Sequence, residues 1–126
     1  MTAILVVEDD EILCQAMVSL FKRCGYTVYA ALSGNHAREI LDSNPEIGLV
    51  ISDYYMPDGT GQSLLEHVKK RPVVRPFFIL MTGQTDLTAT EIAELGADEL
   101  LRKPFPIKDL VTVVSRALGV SAHPPG

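Results

Sequence analysis

The sequence carries no surplus of positive charge, no long apolar run and only two cysteines. Each shortage closes off a class of function. Eleven Lys and Arg stand against sixteen Asp and Glu, a net charge of −5. A nucleic-acid surface carries a basic excess, so no direct nucleic-acid contact is expected. No apolar stretch approaches the ~18 residues that cross a bilayer, and no membrane association is expected. The opening residues enter a strand-like run without the basic stretch, apolar segment or small-residue cleavage site of a secretory signal. Cys14 and Cys24 fall on one helical pattern, about 15 Å apart along its axis, whereas a disulfide needs Cα atoms within about 7 Å. Unpaired thiols without a signal predict a cytoplasmic location, and both cysteines read as packing residues near the apolar stripe. His36, His67 and His123 share no metal-ligand spacing and read as surface residues.

What remains is the composition of a packed domain. The chain has 126 residues, 47% hydrophobic and 21% charged, which suits one globule with a radius of gyration of roughly 14 Å. Apolar runs alternate with helical stripes. Ala3 to Val7 reads as a first strand, and Leu13, Ala16, Met17, Leu20 and Cys24 mark a helix that Gly25 closes. Thr27 to Ala31 reads as a strand, and Ser33 caps a helix through Ala37, Ile40 and Leu41 that ends at Asn44-Pro45. Ile47 to Ser52 is a third strand, followed by a helix at Leu64, Leu65 and Val68 that Arg71-Pro72 stops. Phe77 to Met81 is a fourth strand, and Leu87 to Leu95 a helix closed by Gly96. Leu100-Leu101 makes a short fifth strand, and Pro106 opens a last helix with its stripe at Ile107, Leu110/Val111, Val114 and Ala117/Leu118.

Five strand-then-helix units predict an α/β fold, a parallel sheet with helices on both faces, because parallel strands need crossovers. The domain is expected over residues 1–119, with 120–126 a flexible tail or linker. In such sheets ligands bind beyond the carboxyl ends of the strands, at the switch point of strand order. The first strand ends in Glu8-Asp9-Asp10-Glu11, the third in Asp53, the fourth in Thr82-Gly83, and the fifth runs into Lys103-Pro104. Taken singly, each has a plain structural reading: acidic residues favoured by a helix dipole, a turn aspartate, turn chemistry, a solvated lysine. Their convergence at four strand ends argues for a site.

The chemistry that suits this set is phosphoryl transfer to Asp53, since a carboxylate can act as nucleophile and form an acyl phosphate. Carboxylates repel an incoming phosphoryl group, so a hard, oxygen-preferring cation such as Mg²⁺ is expected between them. Asp9 and Asp53 can hold it, with Glu8 reaching through water. Lys103 offers a positive charge to one phosphoryl oxygen and Thr82 a hydroxyl to another.

The segments ILVVED (4–9), DYYMPDGTG (53–61), ILMTG (79–83) and GADELLRKPF (96–105) resemble the receiver domain of two-component response regulators, over residues 3–119. The resemblance implies a flavodoxin-like (βα)5 doubly wound sheet of strand order 2-1-3-4-5. It implies Asp53 as phosphoacceptor and a Mg²⁺ site of Asp9, Asp53 and the Tyr55 carbonyl, with Glu8 as outer acidic partner. It implies Thr82 and Lys103 as switch residues that meet the phosphoryl group, with Gly83 beside Thr82, and a cis peptide at Lys103-Pro104. Leu100 departs from the family, which usually has Tyr or Phe there. Tyr55 and Gln84 are variable positions facing the phosphoryl group.

The implied activity is that of a signalling domain and not an enzyme with a separate substrate. It takes phosphate from a sensor histidine kinase or histidine phosphotransfer protein, catalyses its own phosphorylation and dephosphorylation, and acts on an output domain, a partner protein or a second copy of itself. Two other classes compete. An aspartate-nucleophile phosphatase of small phosphate esters wants its nucleophile after the first strand with a second Asp two residues on. Here Glu8 and Asp10 hold that spacing, and no length is left for a cap. A flavin-binding domain wants a Gly/Ser/Thr phosphate cradle after the first strand, where this chain is acidic.

Overall fold

Ala3–Val7 (β1) is apolar on every residue and fully buried, as a strand covered on both faces must be. A computed structural model describes residues 3–56, 59–70, 75–83 and 88–119. The remaining strands of the main sheet are Thr27–Ala31 (β2), Ile47–Asp53 (β3), Phe77–Thr82 (β4) and Glu99–Arg102 (β5). All neighbours pair in parallel, in the order β2-β1-β3-β4-β5, the order that the resemblance implies. The chain leaves β1 for the β2 side and then crosses back to β3, so the switch point lies between β1 and β3.

The helices are Glu11–Arg23 (α1), Gly34–Ser43 (α2), Gly61–Lys69 (α3), Ala89–Leu95 (α4) and Ile107–Ala117 (α5). Alternation along the strands splits the core into two layers. Ile4, Val6, Leu49, Ile51, Ile79 and Met81 face α1 and α5, meeting Met17, Phe21, Leu110 and Val114. Leu5, Val7, Val50, Phe78 and Leu80 face the other way, onto Leu41, Leu64, Leu65 and Val68 of α2 and α3.

The ends of the helices follow local chemistry. Asp10 caps α1, Ser33 caps α2, and Thr88 with Glu91 forms a capping box at α4. Gly25 and Gly96 follow α1 and α4 at φ 95° and 78°, left-handed positions that favour glycine. Two expectations shift. The buried face of α1 is Cys14, Met17, Leu20 and Phe21, while Ala16 is exposed and Leu13 half-buried. The helix turns to place its bulkiest apolar side chain, Phe21, inside. Pro106 is the N-cap of α5 and not its first helical residue. Gln84, Leu87, Arg71-Pro72, His123 and the expected tail 120–126 lie outside the described residues.

Register aligns the strand ends. Val7 pairs with Ala31 on one side and Ser52 on the other, Asp53 with Met81, and Thr82 with Arg102. The residues that follow or finish these strands therefore share one rim. No helix among the described residues is long and apolar enough to cross a membrane.

Candidate functional site

Glu8 is the first residue beyond β1, and its backbone N–H still donates to the Ala31 carbonyl at 3.1 Å. The side chain is almost wholly buried, at 1% exposure. Its Oε2 accepts from the Asp10 N–H at 3.1 Å, and its Oε1 from Lys103 Nζ at 2.6 Å. Asp9 is exposed beside it. Asp10 turns elsewhere: its Oδ1 accepts from the N–H groups of Ile12 and Leu13 at 3.0 and 3.2 Å. The acidic run thus divides by role, with Asp10 spent on opening α1 and Glu8 and Asp9 left at the rim.

Asp53 ends β3, level with Glu8 across the β1–β3 pair. Its Oδ2 accepts from Lys103 Nζ at 3.1 Å. One ammonium therefore bridges two carboxylates. Carboxylate oxygens of Glu8, Asp9 and Asp53 all lie within 4.8 Å of one another. Among the described residues, three negative groups with one ion-paired lysine leave a local excess of negative charge.

Burial pushes the Glu8 carboxyl above the ordinary range, although the Lys103 and Asp10 hydrogen bonds pull the other way. For Lys103, burial favours the neutral amine, but the hydrogen bonds and charges of Glu8 and Asp53 outweigh it. The ammonium is held above the ordinary lysine value. The Lys103 N–H donates to the Thr82 carbonyl at 2.7 Å, which ties the lysine to the end of β4, and the Lys103-Pro104 peptide is cis, as expected.

Thr82 is fully buried, and its hydroxyl has no hydrogen-bond partner among the described residues. An orphaned buried hydroxyl costs on the order of 1–3 kcal/mol, so Thr82 is the polar group at this rim that a ligand could satisfy. Gly83 follows at the same strand end, half-buried. Tyr55 lies in a two-residue strand, Tyr55–Met56, paired antiparallel with Gly59–Thr60. Its side chain is 54% exposed and meets the Tyr54 ring edge-on, with centroids 4.8 Å apart. Leu100 is half-buried opposite Leu80 and packs on the α2–α3 side of the core.

Sequence reasoning assigned no role to Ser52, whose hydroxyl donates to the Asp53 carbonyl at 2.9 Å. Its signal in the sequence is a polar residue at the end of an apolar run, and the structure buries it completely.

The described geometry is an acidic pocket with a bridging lysine at the switch point of a five-stranded parallel sheet. The family model of the response regulator receiver domain matches residues 4–115. This chain belongs to that family. The receiver domain is 32% identical over 117 residues to the two-component response regulator ORR7 of Oryza sativa subsp. japonica, covering 91% of this chain and 56% of that protein. It is 39% identical over 119 residues to the DNA-binding transcriptional regulator NtrC of a Bradyrhizobium strain, covering 92% of this chain and 24% of that one. The chain thus spans about half the length of the first relative and a quarter of the second. Among solved structures, a response regulator receiver domain protein from Clostridium thermocellum superposes with a TM-score of 0.83 at 32% identity, covering 94% of this chain and 95% of that one. The protein is a receiver domain of two-component signalling. Neither the phosphatase nor the flavin-binding alternative finds better support.

Proposed function

We propose that this receiver domain takes a phosphoryl group from the phosphohistidine of a sensor histidine kinase or histidine phosphotransfer protein onto Asp53, in a Mg²⁺-dependent step. The observation that carries the reading is the meeting of Glu8, Asp9 and Asp53 oxygens within 4.8 Å beside the Lys103 ammonium. An oxygen of Asp53 forms the bond to phosphorus as the P–N bond of the donor breaks, and the electron pair stays on the imidazole nitrogen. The domain's own residues then catalyse loss of the group to water, so that it serves signalling and has no separate substrate.

The donor set fits a hard divalent cation. All three side chains offer carboxylate oxygens, and among the described residues Lys103 alone pairs with them. Asp9, Asp53 and the Tyr55 carbonyl would hold the ion, with Glu8 reaching it through water. When bound, Mg²⁺ shields the carboxylates from the phosphoryl oxygens and draws charge from them. Lys103 can leave Asp53 for a phosphoryl oxygen while its backbone stays tied to Thr82. The orphaned Thr82 hydroxyl, beside Gly83, is free to donate to another.

The phosphorylated form then binds differently to an output domain, a partner protein or a second copy. The domain occupies residues 1–119, and 120–126 is assigned to a flexible tail or linker. A cytoplasmic location follows from the phosphohistidine donor and the unpaired thiols.

Incubation with acetyl phosphate and Mg²⁺, followed by intact mass, tests the reading. The expected result is a gain of one phosphate by the parent and none by Asp53→Asn, which keeps the shape and removes the nucleophile. Equal uptake by the variant overturns the assignment.

A further inference from the structure

Gly61 opens α3 and is buried against the acceptor's own backbone. A Cβ built on it would lie 2.7 Å from the Asp53 carbonyl oxygen, 2.7 Å from Leu80 Cδ1 and 3.1 Å from Tyr54 Cα. Ordinary contact begins near 3.4 Å. Its φ is not positive, unlike those of Gly25, Gly96 and Gly119, so the constraint is space and not backbone conformation. We infer that Gly61 is a positioning residue for phosphoryl acceptance: the missing side chain lets α3 press on the Asp53–Tyr54 backbone and hold the acceptor and the Tyr55 segment at the metal site. The inference rests on the phosphoacceptor reading above.

The backbone in question is held on several sides. The Ser52 hydroxyl donates to the Asp53 carbonyl at 2.9 Å, and the Tyr54 N–H donates to the Met81 carbonyl at 2.8 Å. The Gly61 N–H donates in turn to the Tyr54 carbonyl. Tyr54 and Gly61 are therefore joined, with Tyr55 paired to Thr60 and Met56 to Gly59 beside them. Of the two closest contacts, Leu80 Cδ1 ends a flexible side chain and can yield. The Asp53 oxygen is main chain and can yield only if the acceptor moves. Misplacement of reacting groups by about 1 Å can cost ~10²-fold in rate, so a shift of several tenths is felt.

Four proteins test this: the parent, Gly61→Ala, Gly61→Ala with Leu80→Val, and Gly25→Ala. The Leu80→Val change removes the side-chain clash and leaves the backbone clash. Gly25→Ala strains a left-handed position with nothing within 4 Å and so lowers stability far from the site. Mg²⁺ affinity is read from amide-shift titration without any phosphodonor, and phosphoryl uptake from acetyl phosphate by intact mass, at 10 °C. The expected result is a tenfold or greater loss of uptake and a weaker Mg²⁺ affinity in both Gly61 variants, with parental values in Gly25→Ala. Parental affinity and uptake in Gly61→Ala overturn the inference, as does recovery on adding Leu80→Val. If the single variant does not fold, the double variant decides. Failure of the double variant to fold also overturns the inference, because Gly61 would then be required by the fold as a whole. If the parent itself takes up no phosphate, the phosphoacceptor reading fails instead.

Discussion

Lys103 Nζ reaches Glu8 Oε1 at 2.6 Å across 95 positions of sequence, joining the last strand of the sheet to the first. Glu8 is 1% exposed and Lys103 28%, so the carboxylate depends on this contact more than the ammonium does. Removing one member of a buried pair leaves an uncompensated charge and costs roughly 3–5 kcal/mol, and the partial exposure of Lys103 puts this pair at the low end. Lys103→Met should therefore lower stability by about 3 kcal/mol or somewhat less in urea melts. Adding Glu8→Gln should restore a good part of the loss. A double variant no more stable than Lys103→Met would show that the two residues are not coupled.

Crowding of Glu8, Asp9 and Asp53 predicts that the ion-free protein gains stability with Mg²⁺. Linkage gives roughly 1.4 kcal/mol at ten times the dissociation constant. Thermal melts with and without millimolar-range Mg²⁺ should show the rise in the parent and lose most of it in Asp9→Asn. The same rise in both proteins would remove Asp9 from the ligand set.

Leu100 lies opposite Leu80, two positions before Thr82 on the same face of β4. An aliphatic side chain there fills less space than a tyrosine would and has no hydroxyl. An aromatic contact is worth about 1 kcal/mol, enough to change a two-state population several-fold. Amide shifts recorded with and without a phosphoryl mimic should show a weak response around Leu100 in the parent and a stronger one in Leu100→Tyr. A large parental response that Leu100→Tyr leaves unaltered would show that switching does not pass through this position.

The site was legible where one rule applied. Parallel strands in register bring their carboxyl ends to one rim, so Glu8, Asp53, Thr82 and Lys103 could be gathered by reading each strand's last residues. Contacts that depend on three-dimensional approach were not legible. The packing of Gly61 on the Asp53 carbonyl and on Leu80 arises only once β3, β4 and α3 are assembled. Periodicity placed α1 correctly but turned its face slightly, counting Ala16 as core. Apolar spacing alone does not weigh Phe21 against alanine, whereas packing does. Likewise, the order of acidic residues did not say which of them would be used to cap the helix, and backbone geometry chose Asp10.

The two thiols should differ in reactivity. Cys14 is 2% exposed, and burial, with the Glu8 charge adding to it, pushes its thiol above the ordinary range. Cys24 is only half-buried, at the end of α1. A disulfide reagent at pH 8 should titrate one thiol in the native protein and two in denaturant. The raised value means that the unfolded chain ionises first, so this group lowers stability as pH rises past about 8.5. The loss should level off beyond the native thiol value, and Cys14→Ala should abolish it. Two fast-reacting thiols in the native state would contradict the burial of Cys14.

The bridge between Lys103 and its two carboxylates also sets an order in time. Glu8, Asp9 and Asp53 leave the ribosome well before Lys103, and the lysine reaches them only when β5 pairs with β4. Long-range closures of this kind come late because loop-closure entropy must be overcome first. A chain without its last strand would hold these carboxylates without the ammonium that bridges them. The bridge is thus completed by the last strand of the sheet, with α5 still to follow.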